Sequence, residues 1–239
     1  MDNFTFDEKK HVYTLDGKPL MGVTSVLGVI AKPALIQWAA NMMDEYIRAN
    51  VAFAIPGDDG GYWAIKPSVI EEAKFAHRKK KEKAADQGTD THAHIETLVK
   101  VAIENFGGYL PENSISDTPS VQSFIDWAKN NKIKFLESEK RMYSREWWTA
   151  GTCDLVFEQD GKRYVGDVKT MKKLWDVVPF IQCAAYAKMM SEAGEKFDGT
   201  CVINIPKETN EVETHYRYDL EGDTKAFEAA LTLYRTLNQ

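Results

Sequence analysis

Apolar and polar positions alternate in two different periods along this chain, and the change of period marks its organisation. Near the N-terminus, Phe4-Thr-Phe-Asp7 and the run His11 to Lys18 alternate in period two, with a turn signal at Asp16-Gly17, which predicts a hairpin. Val23 to Ile30 follows as an apolar run. Pro33 then opens a helix from Ala34 to about Arg48, with apolar residues at helical spacing. Residues 54–67 are rich in Gly, Pro and Asp and read as a loop. Ser68 with Glu71 matches a capping box and predicts a helix through Arg78, Lys79, Lys80 and Lys81 to about Asp86. Gly88 is expected to break it, and Thr89 or Asp90 to cap the next helix, which runs through His92, His94 and Glu96 to about Asn105. After a break from Gly107 to Pro119, Val121 to Asn131 reads as an amphipathic helix.

The period then changes from helical to two. Lys134–Tyr143, Thr149–Glu158 and Arg163–Thr170 read as strands, and Asp160-Gly161 is the hairpin turn between the last pair. A helix over Val177–Glu192, a strand over Gly199–Ile205, an edge strand over Thr214–Tyr218 and a closing helix over Thr224–Thr236 complete the chain. The core order is α-β-β-β-α-β. This predicts an α/β fold with a mixed central β-sheet flanked by helices. Residues 1–87 read as an N-terminal hairpin and helical elaboration and residues 88–239 as the core, together forming one compact domain.

Composition narrows the classes. Of 239 residues, 44% are hydrophobic and 28% charged, as in an ordinary soluble domain. No apolar run is long enough to span a membrane, and the N-terminus lacks a basic and apolar leader, so a cytoplasmic, non-secreted protein is expected. Cys153, Cys183 and Cys201 are far apart. They predict buried thiols in a reducing compartment, and they fall short of the ligand set of an iron–sulfur cluster or a zinc ribbon. A net charge of −6 argues against a protein that coats nucleic acid through its overall field. It leaves room for an enzyme that grips nucleic acid through a local patch.

The candidate chemistry gathers around Gly151-Thr-Cys-Asp154 and Asp167-Val-Lys169. Asp167 and Lys169 are two apart on a strand and face one side, with Val168 facing the other. A surface ion pair would give the same tripeptide. Asp154 lies in an apolar strand, where a carboxylate is costly unless paired or bound to metal; a strand-end turn is the simpler alternative. Gln182 and Tyr186 share one helix face at i and i+4, either as packing residues or as groups lining a site. His92 and Glu96 share another face, with helix-end capping as the simpler explanation. Glu137 and Glu139 share a strand face that a solvated sheet would also present.

Taken in order, these pieces resemble the PD-(D/E)xK nuclease superfamily, and within it the RecB-like exonuclease branch. The ordered set is Gly88-x-x-x-His92-x-x-x-Glu96, Glu139, Gly151-Thr-x-Asp154, Asp167-x-Lys169-Thr170 and Gln182-x-x-x-Tyr186. The Gly-Thr-x-Asp signature and its spacing from Glu139 are similar to those of mitochondrial genome maintenance exonucleases. The N-terminal His11–Lys18 and Val23–Leu27 patterns are similar to phage-encoded members. The resemblance covers roughly residues 10–190 in motif order.

The resemblance implies a restriction-endonuclease-like core and a metal-dependent DNA exonuclease. Asp154 and Asp167 would bind Mg²⁺ or Mn²⁺, with the Val168 carbonyl completing the shell and His92 as a further ligand. Glu96 and Glu139 are additional candidates. Lys169 would position or activate the attacking water, and Gln182 and Tyr186 would contact Lys169 or substrate. Thr170 would lie at the DNA. No iron–sulfur cluster is expected. Products would carry a 5′-phosphate, and the setting would be replication, recombination or repair in a bacterial cell or phage-infected host, alongside other proteins of those processes. The basic run Arg78, Lys79, Lys80, Lys81 and Lys83 is a candidate phosphate grip, or a solvated helix face. Trp147 and Trp148 are candidates for stacking unpaired bases, or a hydrophobic plug at the hairpin end. A structure-specific endonuclease of the same fold and a catalytically silent DNA-binding module are the alternatives.

Overall fold

A computed structural model describes residues 2–55, 61–174, 176–206, 209 and 211–238, with the side chains of 33–34, 55 and 83–87 also left out. Part of the expected 54–67 loop and the Lys83 side chain therefore lie outside the described residues. In chain order the elements are β1 (Phe4–Asp7), β2 (Val12–Leu15), β3 (Lys18–Pro19), β4 (Met21–Gly22), α1 (Val23–Leu27), α2 (Pro33–Ala49), β5 (Phe53–Ile55), β6 (Tyr62–Ala64), α3 (Pro67–Ala73) and α4 (Ala76–Asn105). They continue with α5 (Pro119–Asn130), β7 (Lys134–Ser144), β8 (Thr149–Gln159), β9 (Lys162–Lys169), α6 (Val178–Glu192), β10 (Gly199–Asn204), β11 (Glu213–Arg217) and α7 (Leu220–Leu237).

The chain divides into two compact units, residues 1–30 with 91–239, and residues 31–90. The N-terminal strands thus belong with the core, not with the helical elaboration. In the smaller unit, α2 and α3 pack together, and the Tyr46 hydroxyl donates to Glu72. The β5–β6 hairpin places Trp63 under the Arg48 guanidinium.

In the larger unit a mixed sheet runs β11-β10-β9-β8-β4, with β7 also paired to β8. β7 lies antiparallel along the whole of β8, from Lys134↔Glu158 to Ser144↔Thr149. On its other edge β8 has two short partners. β9 pairs antiparallel from Leu155↔Gly166 to Gln159↔Lys162, and β4 pairs parallel at Met21↔Thr149 and Gly22↔Ala150. Among the described residues, Gly151 to Asp154 have no partner strand on that edge. β10 runs parallel to β9, as the β9–α6–β10 crossover requires, and β11 closes the sheet antiparallel. The Asp160-Gly161 turn takes left-handed φ at both residues, the geometry of the tight hairpin that the sequence predicts.

Helices cover both faces of the sheet. One core layer packs α1, α6 and α7 against Cys153, Val156 and Val165; the other packs the later part of α4 and α5 against Leu155, Phe157, Tyr164 and Val168. α6 is apolar nearly all round because it is enclosed by sheet and helices, and Gln182 and Lys188 are its polar interruptions before the last turn. β8 switches layers within two residues, since Cys153 and Leu155 lie in opposite cores. Regular alternation would place them on one face, so the strand turns over at Asp154.

Two helix predictions are corrected. Gly88 does not end a helix, because α4 is continuous from Ala76 to Asn105. A mid-helix glycine costs about 1 kcal/mol, which the flanking helix-forming residues absorb. Thr89 and Asp90 accordingly lie inside α4 and not at its N-terminus. Ser68 lies inside α3, whose N-cap is Lys66 with Pro67 at the first position. Asp219 caps α7 by accepting from the Gly222 N–H, so that helix begins earlier than the apolar pattern alone indicates. No described helix is long and apolar enough to cross a membrane.

Candidate active site

The site forms where the edge of β8 is left open between β4 and β9. Beyond Leu155↔Gly166 the β8–β9 ladder stops, and the Val168 N–H donates to Asp154 Oδ2 at 2.9 Å instead of to a strand carbonyl. A side chain thus takes the place of a backbone acceptor and brings Asp154 beside Asp167. Val168 itself is buried in the α4-side core, as strand alternation predicts.

Asp167 is 1% exposed. Its Oδ1 accepts from Lys169 Nζ at 2.6 Å and from Gln182 Nε2 at 3.3 Å. Its Oδ2 has Lys169 Nζ at 2.5 Å but no hydrogen bond of good geometry. Burial pushes this carboxyl up to about 7, the charge of Asp154 adds to the rise, and Lys169 opposes it. For Lys169, burial works against the ammonium, but the charges of Asp167 and Asp154 outweigh it and the pKa is raised. Lys169 therefore stays protonated at neutral pH and is folded onto Asp167.

Glu139 completes the acidic group. The pairs Ser138↔Leu155 and Lys140↔Cys153 flank it, so it lies across from Asp154. Its φ of 50° is left-handed, an unusual state for a glutamate in a strand and one that concentrates at functional positions. Burial, then the charges of Asp154 and Glu96, push its carboxyl up to about 7. His92 approaches from α4, with Nδ1 3.9 Å from Asp154 Oδ2. Glu96 pairs with Lys100 one turn on, and His94 is exposed as expected. A small void between α4 and the sheet is lined by His92, Glu96, Ser138, Glu139 and Asp154. It leaves ≈ 10 Å³ for the centre of a water-sized sphere, about what one water needs.

The Gly-Thr-x-Asp stretch has a packing reason. A Cβ on Gly151 would overlap the ring of Tyr186, with Cζ at 3.1 Å and Oη at 3.2 Å. Tyr186 is buried against the strand, and only glycine lets α6 come that close. Gln182, one turn earlier, is thereby held in reach of Asp167, on the carboxylate oxygen that Lys169 also bonds.

Other candidates are placed elsewhere. Trp147 is 5% exposed and packs against Phe227 at 5.0 Å between ring centres, so it belongs to the core and is not available to stack bases. Trp148 is half-buried and its indole N–H donates to the Pro19 carbonyl. Both act as the plug at the hairpin end. Thr170 follows β9 between two tethered neighbours, with Lys169 O accepting from Ile205 and Met171 N–H donating to Asn204. In the smaller unit, Arg78 lies over the Phe75 ring, Lys79 is 4.0 Å from Glu72 and Lys80 is 3.7 Å from Glu45, while Lys81 is exposed. Nearby glutamates thus offset part of the basic run.

No family model matches this chain, and no curated protein matches it. Among solved structures, one titled "Crystal structure of SSO0001" is similar at 13% identity and a TM-score of 0.35, covering 68% of this chain and 67% of that one.

In kind, the donors at the open edge suit a hard divalent cation. They are carboxylates with one imidazole, and the buried Asp167 Oδ2 lacks a well-aligned donor. Among the described residues, however, no group of three or more His, Cys, Asp and Glu side chains is close enough together to hold a metal ion. Sequence reasoning missed Asn204, which is fully buried, accepts from Met171 and donates to Glu213, and so fixes the chain leaving Lys169. It also missed Tyr13, whose hydroxyl is 2.8 Å from Thr152 Oγ1. An Asn in an apolar strand was the available signal for the first. Nothing local signals the second, because its partner is far along the chain.

Proposed function

We propose that this protein is a metal-dependent DNA nuclease with a restriction-endonuclease-like core, acting as an exonuclease on single strands or free ends. One observation carries the reading: Asp154, Asp167 and Lys169 gather at the open edge of β8, with more acid than base around them. A buried and a half-buried carboxylate pushed up to about 7 are held at a net cost in stability, and such a cost often accompanies functional sites.

Asp154 and Asp167, with His92 and the Val168 carbonyl, are the groups that would hold Mg²⁺ or Mn²⁺, with Glu139 and Glu96 near by, although these side chains stand too far apart here to enclose a cation. Bound there, the cation supplies Lewis acidity for a phosphate oxygen and for a water. Lys169, whose Nζ rests on Asp167 here, would orient the attacking water and offset charge growing on the phosphate oxygens. Gln182 keeps the Asp167 carboxylate in one orientation through its amide donor. The products carry a 5′-phosphate, and the cellular setting is DNA replication, recombination or repair in a bacterial or phage-infected cytoplasm.

The test uses end-labelled single-stranded, duplex and circular DNA with Mg²⁺, Mn²⁺ or EDTA. Degradation of linear DNA alone, abolished by EDTA and by Lys169→Ala, is the expected result. Nicked circles would assign an endonuclease instead. Binding of DNA without cleavage under any condition would assign the silent binding module.

A further inference from the structure

Asp154 and Glu139 also stand at the inner end of a second, larger cavity of ≈ 580 Å³, on the side of the sheet that carries α1 and α6. That volume falls within the range of about 300–1,000 Å³ typical of pockets that enclose a small organic ligand. Its outer wall is the N-terminal segment, with Tyr13 from β2 and Thr24 and Ser25 from α1; its inner wall is Thr152 on β8 with Gln182 on α6. The Tyr13–Thr152 hydrogen bond joins the two walls.

The lining decides what fits. Apart from His11 at the β2 end, no basic side chain among the described residues lines the cavity, and Asp154 and Glu139 make one end acidic. A phosphate inside the cavity would lie along a wall that, among the described residues, carries no lysine or arginine, whereas at Asp154 it has Lys169 close by. Hydroxyls and one amide, set among apolar and aromatic surfaces, suit an uncharged ligand that offers hydroxyls and ring edges. We infer that this cavity is a subsite for the sugar and base of one unpaired nucleotide of the substrate, next to the phosphate at Asp154. The inference rests on the nuclease reading and deepens it. A base that is stacked and paired cannot enter a walled pocket without leaving its helix, so the subsite favours single strands over duplex ends. The N-terminal strands and α1 then set strand preference, although they carry none of the candidate metal ligands.

The test is saturation-transfer NMR on the full chain in EDTA, with thymidine as one probe and inorganic phosphate as the other. Thr24 and Ser25 are exposed at the rim, so Ser25→Trp would fill the mouth without disturbing the core. Thymidine should take up saturation from the protein, and Ser25→Trp should weaken its apparent affinity at least about tenfold. Thr152→Val, which removes the hydroxyl bridge to Tyr13, should weaken it less. Thermal unfolding of each variant separates loss of the pocket from loss of the fold. Two outcomes overturn the subsite: no transfer to thymidine, or transfer that Ser25→Trp leaves unchanged in a folded protein. Cleavage of linear DNA measured on the same preparations keeps the two readings apart. Cleavage without thymidine binding sinks the subsite and leaves the nuclease standing; thymidine binding without cleavage does the reverse.

Discussion

The central sheet carries two clusters of charge with opposite balance. At one, Lys140 bridges Glu137 and Glu195 at 3.0 and 2.8 Å, and Arg163 meets Glu195 at 2.5 Å. Burial there works against Glu195, but its hydrogen bond and charge contacts with Lys140 and Arg163 win, and its pKa is lowered. At the other, Asp154, Asp167, Glu139 and Glu96 face Lys169 and Lys100, and two of the acids are pushed up to about 7. The first cluster has its charges matched and holds the structure together. The second has surplus negative charge fixed in place by strands and helices on every side. In the proposed reading, this surplus is where the cation and the reacting phosphate would be received.

The sharpest way to break this contrast is substitution within the surplus. Lys169→Ala or Asp154→Asn should lower DNA cleavage by about 10²–10⁴-fold in steady-state rates, the range expected when a positioned group of this kind is lost. Gly151→Ala comes next. Its methyl group would overlap the Tyr186 ring, and the overpacking should cost about 1–3 kcal/mol in urea unfolding. Pairing it with Tyr186→Leu should recover part of that loss. If Gly151→Ala unfolds like wild type, the close approach of α6 is wrong.

The pH dependence of metal-free stability separates the clusters further. Asp167 and Glu139 have folded pKa values above their ordinary carboxylate values of 3.8 and 4.5. Their contribution is fully present below that range and is lost as pH rises through about 7. Glu195 has the opposite sign: its contribution is present above the ordinary range and is lost as pH falls. Urea unfolding of Asp167→Asn across the neutral range should show a flatter decline than wild type. The smallest effect belongs to Glu195→Gln. It should cost about 1 kcal/mol or less, since its partners are partly solvated, and it should leave cleavage unchanged.

Much of this was legible in the sequence, because the strands of the hairpin core and α6 follow clean periods. Asp167 and Lys169 on one side with Val168 on the other is a direct consequence of strand alternation. Tyr186 turning inward and Gln182 reaching the site follow from their i, i+4 spacing. The exceptions have physical causes. Glu139 stands opposite Asp154 by the β7–β8 register, which is set by a shift between Phe135 and Glu137 that alternation cannot reveal, and neither can it reveal the left-handed φ of Glu139. The reversal of β8 at Asp154 breaks the period at the residue that matters most. Gly88 looked like a stop because a glycine's local cost is visible in sequence while the support of a long helix is not. Trp147 looked available for stacking because its partner, Phe227, comes from the last helix.

The most direct test sets one residue from each cluster side by side. End-labelled linear single-stranded DNA is incubated with Mn²⁺ and with wild type, Asp154→Asn or Glu195→Gln, each shown to be folded by thermal unfolding. The account predicts that Asp154→Asn abolishes cleavage while Glu195→Gln cleaves at the wild-type rate. Equal activity in both variants, or equal loss in both, would contradict it.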